Sequence, residues 1–93
     1  TVPIRFVGGR ELRVNADADR PPPGSSWLKV GFLDEGGRPI AGFSPEEADT
    51  IRGDSVAHRA SWRGRWEVSS LSGRPVRLAF RFVNTRLYSF TVR

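Results

Sequence analysis

From Val76 to Val92 the chain alternates almost without interruption. Val76, Leu78, Phe80 and Phe82 take turns with Arg77, Ala79, Arg81 and Val83. That period of two is the pattern of an extended strand with one buried and one solvated face. After Asn84-Thr85-Arg86 it resumes, with Tyr88, Phe90 and Val92 on one side and Ser89 and Thr91 on the other. Two such runs around a short polar break predict an antiparallel hairpin, with the asparagine supplying the turn.

The same logic extends upstream. Leu28, Val30 and Phe32 share a face of a strand running from Trp27 to Leu33, and Asp34-Glu35-Gly36-Gly37 closes it with turn chemistry. Val56, His58, Ala60 and Trp62 line one face of a strand from about Ser55 to Trp62, expected to pair with it. Ile4 and Phe6 form a short strand, Gly8-Gly9 a turn, and Leu12 and Val14 a further strand. Two segments break the rhythm. The run Arg20-Pro21-Pro22-Pro23-Gly24-Ser25-Ser26 lacks the N–H donors of a ladder strand and reads as a surface loop. Ser44-Pro45-Glu46-Glu47 carries the one helix start: Ser44 as N-cap, Pro45 at the first helical position and Glu47 completing a capping box. With Gly53 as a stop, the helix is one short turn near residues 45–50. The prediction is an all-β fold over residues 1–93, a single antiparallel β-sandwich, jelly-roll-like, of six to eight strands.

Length and composition narrow the function classes. A chain of 93 residues buries roughly 60–65% of its unfolded surface, enough for one two-layer core. It has no cysteine, so neither disulfides nor thiolate metal sites supplement that core, and His58 is its only histidine. No apolar run is long enough to span a membrane, and the N-terminus lacks a signal peptide's pattern. The absence of methionine leads us to expect a piece of a longer protein. Of fifteen basic residues only Lys29 is not arginine, a skew that a GC-rich coding sequence produces. Residues 1–49 hold six basic and eight acidic side chains, whereas residues 50–93 hold nine and two. The C-terminal half is therefore positive however it folds, and suits an acidic partner.

The order of motifs also resembles a known accessory domain. The series Gly9-Arg10-Glu11-Leu12-Arg13-Val14-Asn15-Ala16-Asp17, Leu33-Asp34-Glu35-Gly36-Gly37-Arg38-Pro39-Ile40 and Gly42-Phe43-Ser44 carries the resemblance, together with Gly53-Asp54-Ser55 and Ser61-Trp62-Arg63-Gly64. Leu71-Ser72-Gly73-Arg74-Pro75-Val76-Arg77-Leu78 and Leu87-Tyr88-Ser89-Phe90 complete it. Together these look like the C-terminal β-sandwich that follows the catalytic part of uncharacterised bacterial glycoside-hydrolase-like proteins, several of them β-propellers related to fructosidases and arabinanases. The resemblance implies an extracytoplasmic, sugar-processing parent protein and a neighbouring catalytic domain in the same chain. The Pro21–Pro23 loop departs from it, standing where a shorter Gly/Ser-type linker is expected.

Candidate sites follow from residue chemistry. An exposed indole offers a flat apolar face to a pyranose ring, so Trp27, Trp62 and Trp66 come first. Trp62 shares phase with Val56 and Ala60 and reads as core; Trp27 lies out of phase with Leu28 and reads as exposed or interfacial. Trp66 sits in Arg63-Gly64-Arg65-Trp66-Glu67, open to surface recognition or to packing over the sandwich end. His58 reads as a satisfied, partly buried histidine rather than a general base. Asp49, Asp54, Glu46 and Glu47 lack the spacing of a calcium loop and read as caps and turns. They also build no pair of carboxylates across a groove, so neither catalysis, a cofactor nor a metal is expected. Arg77 and Arg81, about 13 Å apart along one strand, point outward together. With Arg59, Arg63, Arg65, Trp66 and Tyr88 they could line a groove for an acidic glycan or single-stranded nucleic acid. Tyr88 is expected inward with Phe90, and a solvated or domain-facing arginine surface is the plainer reading. The expected role is a non-catalytic accessory module that braces a catalytic domain or weakly binds glycan through Trp66 and Trp27 with Arg63, Arg65, Arg77 and Arg81. Polyanion binding is the alternative, with nucleic acid the less favoured partner.

Overall fold

A computed structural model describes residues 4–93. It contains five strands: β1 (Leu12–Ala18), β2 (Trp27–Asp34), β3 (Gly53–Arg59), β4 (Val76–Val83) and β5 (Arg86–Val92). They form two antiparallel sheets, β3-β1-β5 and β2-β4. The other extended segments appear as isolated bridges: Ile4 to Val76, Leu33 to Pro39, Leu28 to Ile51, and Trp62 to both Ala48 and Arg65. The expected all-β, two-sheet architecture is therefore present.

Alternation explains which side chains face the core. Leu12, Val14, Ala16 and Ala18 of β1 are buried, as are Leu28, Val30 and Phe32 of β2 and Val76 and Leu78 of β4. Trp62, fully buried, lies between them with ring centroids 5.7 Å from Phe32 and 5.5 Å from Phe43. Its indole N–H donates to the Val30 carbonyl at 3.0 Å, which satisfies the ring's one polar group. Ser44 and Pro45 pack on the outer face of β2 at Gly31. A Cβ at Gly31 would sit on the backbone nitrogen of Pro45, so only glycine permits that approach. The short helix is a 3-10 turn, Pro45–Glu47, with the Ser44–Glu47 capping box formed. Gly53 begins β3 rather than ending a helix. A second 3-10 turn spans Ser69–Leu71.

Strand pairing departs from the expectation. The two runs read as a hairpin do not pair: β4 lies against β2 and β5 against β1. The Asn84-Thr85 link carries the chain from one sheet to the other, with Asn84 in the left-handed region at φ 46°. Its amide donates to the Pro21 carbonyl at 3.0 Å and to Ser25 Oγ at 2.7 Å. The Thr85 hydroxyl donates toward the Trp27 and Val83 carbonyls, at 3.1 and 2.9 Å. The proline-rich loop thus buttresses this corner. The rings of Phe80 and Phe90, 5.7 Å apart, meet across the interior instead of side by side in one sheet. In the same way, β2 and β3 belong to different sheets rather than to one pair.

Two bulges correct the inward-facing residues. Against Val14 and Ala16 of β1 stand His58 and Ser55 of β3, so β3 spends one extra residue there. This turns Val56 outward, at 79% exposure, where unbroken alternation places it inside. Opposite Asn15 and Ala16 stand Ser89 and Leu87 of β5, which leaves Tyr88 as the extra residue. Leu87 therefore faces inward with Phe90 and Val92, and Tyr88 is 60% exposed rather than buried beside Phe90.

Replacing Trp62 with alanine is expected to lower stability by about 3–5 kcal/mol, read from the urea midpoint at unchanged m-value. The loss combines an indole-sized cavity with an unpaired Val30 carbonyl. An unaltered midpoint would contradict the central position of this residue.

Candidate functional site

Trp62 also anchors a tight turn. Its backbone N–H donates to the Arg65 carbonyl at 2.7 Å, and Arg65 N–H returns the bond at 3.0 Å. The central residues Arg63 and Gly64 have φ of 52° and 82°, the signature of a type I′ turn. Asp49 fastens it from the neighbouring segment: its Oδ2 accepts from Ser61 Oγ at 2.6 Å and from Gly64 N–H at 2.8 Å. These two donors hold the Asp49 carboxyl below the usual aspartate range.

The chain leaving this turn forms a shallow cleft of about 360 Å³ lined by Gly64, Arg65, Trp66 and Glu67. Trp66 is half-buried, and the Arg59 guanidinium stacks over its ring 4.6 Å from the centroid. One face of the indole is therefore taken by a cation. Glu67 pairs with Arg10 at 3.7 Å and accepts from Ser69 Oγ at 3.1 Å. Of the six expected ligand residues, the fold brings together Arg63, Arg65 and Trp66. The other three lie on the two-stranded sheet: Trp27 begins β2 opposite Val83, and Arg77 and Arg81 stand on β4.

The arginines are largely engaged within the domain. Arg81 donates to Glu46 at 2.7 Å, and Arg77 Nε donates to the Glu35 carbonyl at 3.0 Å. Arg63 approaches Glu47 at 3.9 Å. Glu47 Oε2 accepts from Ser44 Oγ and Gly42 N–H, both at 2.8 Å, and these bonds hold its carboxyl below the ordinary glutamate range. Glu46 is lowered too, by its backbone hydrogen bond and then by Arg81. Among the described residues no three acidic or histidine side chains converge as a metal-holding group. His58 Nε2 lies 3.0 Å from the Ala16 carbonyl. A carbonyl only accepts, so that nitrogen carries the proton, and the imidazole serves the bulged β1–β3 ladder rather than a cleft.

A second surface was not anticipated. In the paired register of β4, Phe80 and Phe82 stand opposite Val30 and Leu28, on the core-facing side. Phe90 of β5 stands opposite Val14, also core-facing. Nevertheless Phe82 is 47% and Phe90 40% exposed. β5 ends its sheet, whereas β4 is met beyond β2 by Ile4 at Val76, so the sandwich is open along β5 and at the Phe82 end of β4. Val83 and Tyr88, on the outward faces of these strands, are exposed as well. The alternation of each strand signalled these residues as interior; that the interior is uncovered here depends on where the strands end up.

No family model, no curated protein and no solved structure matches the chain.

Acid sensitivity follows from the three carboxyls. Each binds its proton more weakly in the folded chain than in the unfolded one, so their stabilisation is complete above about pH 5 and fades as the pH falls through about 4 and below. The melting temperature is expected to fall over this range, and Asp49→Asn to flatten its slope against pH. An equally steep slope in that variant would show that the Asp49 clamp contributes nothing.

Proposed function

We propose that the domain is a non-catalytic accessory module of a larger, extracytoplasmic bacterial carbohydrate-active protein, bracing a neighbouring catalytic domain of the same chain. The open seam at the core-facing Phe82 and Phe90 carries this reading. Core-facing aromatic surface left exposed on a small domain marks a place where another body packs. The sugar-processing context rests on the motif resemblance. The acids favour a non-catalytic role: Glu46, Glu47 and Asp49 are lowered by their partners, whereas a glycosidase's general acid needs a raised pKa.

A second reading is supported by the cleft at Arg65 and Trp66. The ring face not covered by Arg59 could stack on a sugar, and the exposed Arg63 and Arg65 would favour an acidic one. General polyanion binding draws less support, because Arg81 and Arg63 already meet Glu46 and Glu47.

The two readings separate experimentally. The bracing role predicts strong fluorescence of a hydrophobic dye on the isolated native domain, reduced at least threefold in a Phe82→Ser/Phe90→Ser double variant with unchanged circular dichroism. A dye-silent native domain would overturn it. The glycan role predicts retardation in affinity electrophoresis on an acidic polysaccharide, lost in Trp66→Ala. Equal mobility of the wild type on every gel of a polysaccharide panel would remove that role.

A further inference from the structure

The exposed seam leaves backbone as well as side chains without partners. Glu11 and Arg93 exchange both of their backbone hydrogen bonds, at 2.9 and 3.0 Å. By the alternation of an antiparallel ladder, Arg13 and Thr91 form the next such pair, so the N–H and C=O groups of Phe90 and Val92 point away from β1. No described residue pairs with them. β5 has neither proline nor lysine to blunt that edge. β4 offers less, because Val76 at its start is already bridged to Ile4 and its Arg81 is held by Glu46.

The side chains along β5 specify what would fit. Leu87, Phe90 and Val92 face the interior, so a strand added beside β5 needs apolar residues on that face, where they would also cover Phe82. Its outer face carries Tyr88, Ser89 and Thr91 between Arg86 and Arg93. Asp17 and Glu11 stand opposite Arg86 and Arg93 in the ladder but form no salt bridge with them, and residues 76–93 contain four arginines and no acid. Charge complementarity therefore selects an acidic occupant rather than a second copy of this basic edge.

We propose that the free edge of β5 is a strand-addition site for an extended polypeptide segment that alternates apolar residues with carboxylates, its apolar side chains closing the seam over Phe82 and Phe90. The backbone ladder would supply affinity, and the alternating side chains would supply register and selectivity. This deepens the bracing role proposed above and rests on it, by giving the chemistry of the segment that would dock.

The test uses the intact 93-residue chain and a capped nonapeptide of alternating glutamate and valine. Two controls accompany it: one with lysine in place of glutamate, and one with proline at the central valine. Addition of the glutamate peptide is expected to slow hydrogen exchange of the Phe90 and Val92 amides at least tenfold. The lysine peptide should bind at least tenfold more weakly, and the proline peptide should give no protection. An Arg86→Glu/Arg93→Glu variant, changed only at exposed positions, should reverse the preference between the glutamate and lysine peptides. Absence of protection at millimolar peptide, or equal protection by the proline control, would overturn the proposal. So would a dimer in sedimentation with these amides already protected, which would assign the edge to a second copy. A domain that binds the hydrophobic dye yet ignores the peptide sinks strand addition alone, whereas a dye-silent domain sinks the bracing role with it.

Discussion

The indole of Trp62 is the contact on which the other parts of the domain depend. It fills the space between the sheets, touches Phe32 and Phe43, and spends its one polar group on the Val30 carbonyl of the opposite sheet. Its backbone meanwhile fixes both ends of the Arg63-Gly64 turn. Core packing and the candidate cleft are therefore properties of one residue. The positions of Arg65 and Trp66 at the surface are set by a ring they do not resemble in burial or chemistry.

The second organising constraint is the corner at Asn84. Sending β4 and β5 to different sheets lets Phe80 and Phe90 meet across the interior, but it also makes β5 the outermost strand of its sheet. A hairpin there would have had each strand protect the edge of the other. The arch instead leaves the edge of β5 free, with the core-facing Phe82 and Phe90 exposed. The proline-rich loop, which cannot itself join a ladder, holds this corner through the Pro21 carbonyl and Ser25.

The arginine-rich half illustrates how charge totals mislead about sites. Its nine basic residues suggest a continuous patch, yet folding sets the acids of the other half against several of them: Glu46 against Arg81 and Glu47 near Arg63. Arg59 is used as a lid over Trp66. The positive charge that meets no carboxylate includes Arg86 and Arg93, residues that no spacing argument singled out.

Some of this was legible in the residues alone. Alternation along Val76–Val83 and at Leu12 and Val14 identifies strands and their core-facing sides, because side chains leave a strand on opposite sides in turn. The Ser44–Glu47 capping box is equally local, since its partners lie three residues apart. Sequence alone also identified Trp62 as interior. It did not determine which strand pairs with which, for backbone hydrogen bonds are the same for every residue type and carry no address. Nor could it place the extra residues at Tyr88 and in β3, because a bulge is a mismatch between two strands distant in the chain. Whether Phe82, Tyr88 and Phe90 would be covered was left to the tertiary structure, since burial of an inward face requires a neighbour that the strand itself does not supply.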